Sequence, residues 1–356
     1  MSRTSPLPRP TPGPRFWRRV LPVIGLALLA PWVPEYLVGS HTVRDLPLIV
    51  FLVPMYGGGA LLIRELARRT GRGWPTILLL GLAYGVIEAG LFDQSLFNPD
   101  YMGEDFGTPA RIPGLGVSAY YLLVFVGGHA VWSIGTPIAI IESLVPDRAD
   151  APWLRTPGLL VAAGLYLLGG FMIYNDLRST EGFGATGPQL AAAATAAVVF
   201  VGAAFVVRRR PADPAAKTPP RPWWVLVVAF LLSSLLGIGE NWLGVALGVA
   251  VVALMIWYVT RWARSPRWSP RHRLALAGGA LLTWAWHGFV LHPWREVSPA
   301  AELASDIAFA VAAIAMVVLA DWRLRRARST DPRTAVADGP AEVPAPRPEG
   351  RSSVEP

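Results

Sequence analysis

The 356-residue chain has no cysteine, a single lysine (Lys217) beside 31 arginines, and only 16% charged residues in all. The first absence removes disulfides, thiolate metal ligands and thiol nucleophiles from consideration. No GxSxG, GxxxxGKS, CxxC or GxGxxG element stands in a fitting context, and no HExxH-type ligand spacing is present. The usual soluble hydrolase, nucleotide-binding, redox and zinc chemistries therefore lack their residues; no metal site is expected, and the sequence identifies no cofactor.

What the chain does have is apolar mass: 53% of its residues are hydrophobic, more than a soluble core of this size needs. Crossing about 30 Å of hydrocarbon takes about 20 apolar residues at about 1.5 Å each. Ten such runs occur, at 18–38, 46–63, 74–92, 118–143, 157–175, 188–207, 222–238, 241–260, 273–291 and 299–320. The seventh and eighth are separated only by GIGEN (Gly237 to Asn241), which is either a tight hairpin or a break in one longer helix. The fold expected is an all-α polytopic membrane bundle of about ten transmembrane helices.

Lys and Arg collect in cytoplasmic loops, which gives this count a second test. With the N-terminus inside, the cytoplasmic segments hold 28 of the 32 basic residues, and the outer loops hold only Arg44, Arg111, Arg178 and Arg295. That asymmetry predicts N-in and C-in, and it reads the arginines as topology anchors rather than a nucleic-acid surface. The expected partners are the bilayer and a membrane-embedded peptide or small molecule, with no nucleic acid. The expected setting is a bacterial plasma membrane. Arg18 and Arg19 ahead of VLPVIGLALLA imitate an export signal, but Pro31 after the small residues disfavours cleavage, so span 1 is read as a retained anchor. Residues 1–16 and 321–356 are Pro-rich and lack apolar periodicity, which predicts disordered cytoplasmic tails around a single membrane domain, 17–320. Within that domain the loop 208–221 is rich in Pro and Arg, and the outer loop 93–117 is long enough to act as a lid.

The polar residues inside the spans carry the functional reading, because an ionisable group in hydrocarbon needs a partner or a wet cavity. Span 3 places Gly81, Tyr84, Gly85 and Glu88 on one face. Span 4 carries His129, Ser133 and Thr136 as a stripe. Counted from the helix ends, Glu88 lies about 6 Å and His129 about 16 Å below the outer boundary, so tilt or a later start is needed for them to meet. A second polar group, His287 and Asp306, lies near the outer ends of the last two spans, among tryptophans of an interfacial belt. Gly57 to Gly59 after Pro54 predict either close helix packing or an unwound segment.

VIEAGLF around Glu88 and FVGGH, with Phe125 and His129, together resemble the CAAX-protease and bacteriocin-processing intramembrane proteases. That family carries a Glu-Glu pair, then Phe-x-x-x-His, then His-x-x-x-Asn or Asp. Here Ala89 stands at the second Glu, the arginine after the pair is missing, and Phe171 and Asn175 of FMIYND hold the third spacing. The resemblance, over about residues 80–180, implies Glu88 as the base that activates water and His129 as the residue that orients it or stabilises the oxyanion. It implies an intramembrane hydrolase or a descendant that no longer cleaves peptides. Two other readings stand beside it: a small-solute or proton-coupled transporter using Glu88, His129 and Asp306, and a non-catalytic structural or partner-binding membrane protein.

Overall fold

The computed structural model describes residues 16–329 apart from 209 and 210. Each of the ten apolar runs becomes a helix. Eight are long and apolar enough to cross a membrane: α1 (Trp17–Leu37), α2 (Val43–Arg69), α3 (Trp74–Phe92), α4 (Ala119–Leu144), α5 (Thr156–Glu181), α6 (Gly187–Val206), α8 (Trp242–Trp262) and α10 (Pro299–Ser329). The remaining two are α7 (Pro222–Ser233) and α9 (Pro270–His287). The protein is thus an all-α, multi-pass membrane bundle.

Two boundaries differ from expectation, and a third settles an alternative. The seventh run stops at Ser233, leaving 12 residues, or about 18 Å, which is too short to cross alone. GIGEN is a turn: Gly237 and Gly239 take φ of 84° and 78°, and the Asn241 side chain caps the amides of Leu243 and Gly244 to start α8. At the far end, 321–329 continue α10 as helix instead of opening a disordered tail, with Arg271 and Arg325 both bonded to Asp321. The expected disorder of residues 1–15 and 330–356 lies outside the described residues.

Helices α2, α3, α4 and α9 form the centre. α2 packs on α1 and α5, α3 on α4 and α6, and α9 on α4, α7 and α10. Glycine sets these approaches. A Cβ on Gly57 would lie 2.7 Å from the Ala27 carbonyl of α1, and one on Gly58 would lie 2.9 Å from the Ala162 carbonyl of α5. One on Gly59 would strike the Tyr84 ring of α3 at 2.5 Å. The three glycines thus serve packing, and α2 runs through them as continuous helix instead of unwinding.

Three helices are interrupted by wider π turns, at Trp32–Leu37 in α1, Glu88–Phe92 in α3, and Leu122–Val126 and His129–Gly135 in α4. The loop between α3 and α4 carries two small antiparallel hairpins, Asp100–Tyr101 with Glu104–Asp105 and Arg111–Ile112 with Val117–Ser118.

Candidate functional site: a Glu–His pair among tyrosines

The meeting of Glu88 and His129 begins with two glycines. A Cβ on Gly81 would sit 2.9 Å from the Ala130 Cα, and one on Gly85 would sit 2.9 Å from the Val126 Cα and 3.1 Å from the His129 Cβ. With hydrogen in those places α3 lies directly against α4, and Glu88, one turn on from Gly85, arrives at the imidazole. His129 Nε2 is 3.0 Å from Glu88 Oε2. The depth difference expected from counting does not separate them, because the chain beyond α3 covers its last turn. After Phe92 the chain folds back inward: the Leu96 amide donates to the Ala89 carbonyl at 3.0 Å, and Gln94, Ser95, Leu96 and Asn98 are all buried. Glu88 is therefore more buried than a terminal-turn residue, at 5% exposed.

The tautomer follows from a second contact. His129 Nδ1 lies 2.7 Å from the Phe125 carbonyl, which can only accept, so Nδ1 carries a hydrogen. If Nε2 were bare, its lone pair would face a carboxylate oxygen at 3.0 Å. One proton must then reside on Nε2 or on Glu88 Oε2. The ring N–H direction is not aligned on that oxygen, which has no hydrogen-bond partner, so the contact leaves acceptor capacity to spare.

Tyrosines surround the pair. The Tyr56 ring lies nearly parallel to the His129 ring, at 17° and 6.1 Å between centroids. Tyr84 lies 5.6 Å from the imidazole, is 2% exposed, and its hydroxyl has no partner. Tyr166 of α5 closes against Tyr84 and Phe92. Two further carboxylates flank the pocket. Glu35, from the π turn of α1, accepts the Tyr56 hydroxyl at 2.5 Å and stands 3.9 Å from His41. Asp93 accepts from the Tyr101 hydroxyl at 3.3 Å. Burial, with the charge of Glu88 adding to it, pushes the Asp93 carboxyl well above the ordinary range. Burial and the neighbouring Asp93 likewise raise the Tyr101 hydroxyl. By contrast Asp105, out on the exposed hairpin, is lowered by the Thr108 hydroxyl and amide.

The other side chains singled out in the sequence lie apart. Ser133 and Thr136 are buried on α4, and Ser133 Oγ has no partner; neither bonds to Glu88 or His129. The His129–Gly135 π turn adds residues to the turn and breaks the i, i+4 stripe. Asn175 is exposed and donates to the Phe171 carbonyl of its own helix at 2.7 Å. His287 stands against Trp284 and Trp286. Asp306 is buried on α10 near Glu302 and His292, and no bond joins it to His287. Among the described residues no group of three or more His, Asp or Glu is placed to hold a metal ion.

Sequence reading missed Glu35, Tyr56 and Asp93. Glu35 did carry a signal of the same kind as Glu88, a carboxylate within the last residues of an apolar run.

A second buried cluster corrects the reading of Arg64 as one of the topology anchors. α2 continues to Arg69, and Arg64 is fully buried. Its guanidinium contacts Glu65 at 2.7 Å and Glu142 at 3.1 Å, donates to the carbonyls of Ala149 and Ala151 at 2.8 and 2.9 Å, and lies 3.3 Å over the Trp153 ring. Arg68 forks onto Glu142 at 2.8 and 2.6 Å. This network fastens α2 to α4 and to the 148–154 turn at the end of the bundle away from Glu88.

No curated protein and no solved structure matches the chain. A family model does, over residues 24–335, a stretch that takes in all ten helices but for the first residues of α1. By that match the chain belongs to an uncharacterized membrane protein family, whose extent coincides with the bundle described above.

Proposed function

We propose that the protein is an intramembrane hydrolase-like enzyme, with an acid–base pocket in the outer half of the bundle that acts on a membrane-embedded peptide. The observation that carries this reading is the 3.0 Å contact between His129 Nε2 and Glu88 Oε2, with Nδ1 tied to Phe125. These two residues are the ones to which the resemblance to the CAAX-protease and bacteriocin-processing family gives the base and orienting roles. In the proposed step a water gives its proton to Glu88 Oε1 while its oxygen attacks the peptide carbonyl, and His129 passes the Nε2 proton to the leaving amine. The products are a carboxylic acid, which ionises to water, and an amine; Glu88 then loses its proton and His129 regains one by exchange with water.

A transporter reading draws on the two buried acids at the other end. Glu65 and Glu142 are each held by arginine, so they are not free to carry protons through the bilayer. Among the described residues the buried acids without an arginine partner, Glu88 and Asp306, both lie toward the end away from the Arg64 network, which favours a one-sided site.

The test uses the protein reconstituted with quenched fluorogenic transmembrane peptides. Wild type is expected to cleave, and Glu88→Gln and His129→Asn each to lose roughly 10²- to 10⁴-fold in turnover. Vesicle acidification abolished by Glu88→Gln, with no peptide cleaved, would instead establish transport. Neither activity would leave a structural or partner-binding role.

The proposed orientation, both termini inside a bacterial plasma membrane, has its own check. Against the cysteine-free background, Asp105→Cys on the exposed hairpin should react with an impermeant maleimide on intact cells, and Lys217→Cys only after the membrane is opened. The reverse pattern would invert the topology.

A further inference from the structure

A buried acid–base pair that turns over must exchange protons with water, and Glu88 is only 5% exposed. We propose that Glu35 is the proton port of the pocket: it relays protons between water at His41 and the Glu88–His129 pair, through the hydroxyls of Tyr56 and Tyr84. The inference rests on the hydrolase-like reading for its catalytic consequence, though not for the path itself.

Four observations line up. Glu35 and His41 are the partly open members of the series, with side chains 22% and 16% exposed and 3.9 Å apart. Glu35 then accepts the hydroxyl of Tyr56 at 2.5 Å, a residue only 4% exposed. The Tyr56 ring lies against His129. Finally Tyr84, 6.1 Å from Tyr56 and 5.6 Å from His129 between ring centroids, offers the one hydroxyl of this group that is buried without a partner. An orphaned O–H costs about 1–3 kcal/mol; this one bonds neither Tyr56 nor Glu88 directly, so in the proposed path a bridging water completes its link to them. The groups facing the port are known from every side: Tyr36 donates to the Asp45 carbonyl at 3.0 Å, Asp45 stands 3.8 Å from Arg295, and Asp93 lies beyond Glu88. None of these intervenes between Glu35 and Tyr56.

The geometry also explains why α1 changes to a π turn at Trp32–Leu37. Pro31 and Pro34 lack amide hydrogens, so a regular ladder is already broken there, and the wider turn carries Glu35 toward Tyr56. Glu35 acts through Tyr56 and is a positioning and relay residue.

The test has one arm that needs no turnover. In detergent, the water-soluble carbodiimide EDC with glycinamide is followed by site-resolved mass spectrometry. EDC should modify Glu35, while Glu88 reacts only with lipid-soluble dicyclohexylcarbodiimide. Failure of EDC to reach Glu35 overturns the port, whatever the protein's activity. In the second arm, Glu35→Ala should lower peptide turnover roughly 10²-fold with unchanged KM, and added formate should restore much of it. Tyr56→Phe should show the same loss without rescue. A Glu35→Ala protein as fast as wild type, or slow and indifferent to formate, also overturns the port. If wild type cleaves no peptide, the hydrolase-like reading fails, and the labelling arm alone decides whether the path exists.

Discussion

Replacing Arg64 by methionine should destabilise the folded protein by roughly 3–5 kcal/mol, the cost of stripping one partner from a buried charge network. The guanidinium is fully buried and serves two carboxylates, two carbonyls at under 3 Å and the Trp153 ring at once. Methionine fills a comparable volume and returns none of these bonds. Glu142 keeps its fork to Arg68, and Glu65 keeps the amides of Trp153 and Leu154, so the damage concentrates on the carbonyls of the 148–154 turn. Unfolding in detergent, followed by the intrinsic fluorescence of Trp153 and its neighbours, measures the loss. Protease cleavage at 148–154 should appear before global unfolding. An unfolding midpoint equal to that of wild type would show that the network is not holding the two helices together.

The second large effect concerns a residue with no side chain. Gly85→Ala places a methyl 2.9 Å from the Val126 Cα, 3.0 Å from the Val126 carbonyl and 3.1 Å from the His129 Cβ, none of which is a flexible tip. The helices must part, at a cost of about 1–3 kcal/mol for overpacking, and the parting falls at the turn that presents Glu88. Turnover should therefore drop to the level of Glu88→Gln even where the protein still folds. Gly164→Ala, where a Cβ would meet nothing within 4 Å, is the matched control and should leave both stability and turnover unchanged. Equal behaviour of the two variants would mean that the close approach of α3 and α4 plays no part in the site.

The helices were legible in the sequence because a water-soluble domain has little use for apolar runs of bilayer length, and all ten runs appear as helices. Glu88 and His129 were legible as exceptions inside those runs. Their contact was not, since counting residues from a helix end assumes that nothing covers the last turn, and the inward fold of 93–98 breaks that assumption. Arg64 was misread for a related reason: the charge rule counts an arginine near a helix end alike whether it faces lipid head groups or is sealed against Trp153. Asn175 held the spacing of a motif and yet faces away from the pocket, because spacing along a helix fixes a face without saying what that face meets. Glu35, by contrast, could have been found, since it breaks an apolar run as Glu88 does.

The widened backbone of α4 has one more implication. Phe125 sits within the Leu122–Val126 turn, where amides reach five residues back instead of four and the regular ladder is out of step. Its carbonyl is the one that takes the imidazole hydrogen, and so decides which ring nitrogen looks at Glu88. An irregularity of the main chain thereby chooses the tautomer. In such a helix the residue count is itself a part of the chemistry, and deleting one bland alanine or valine would be as consequential as losing the histidine.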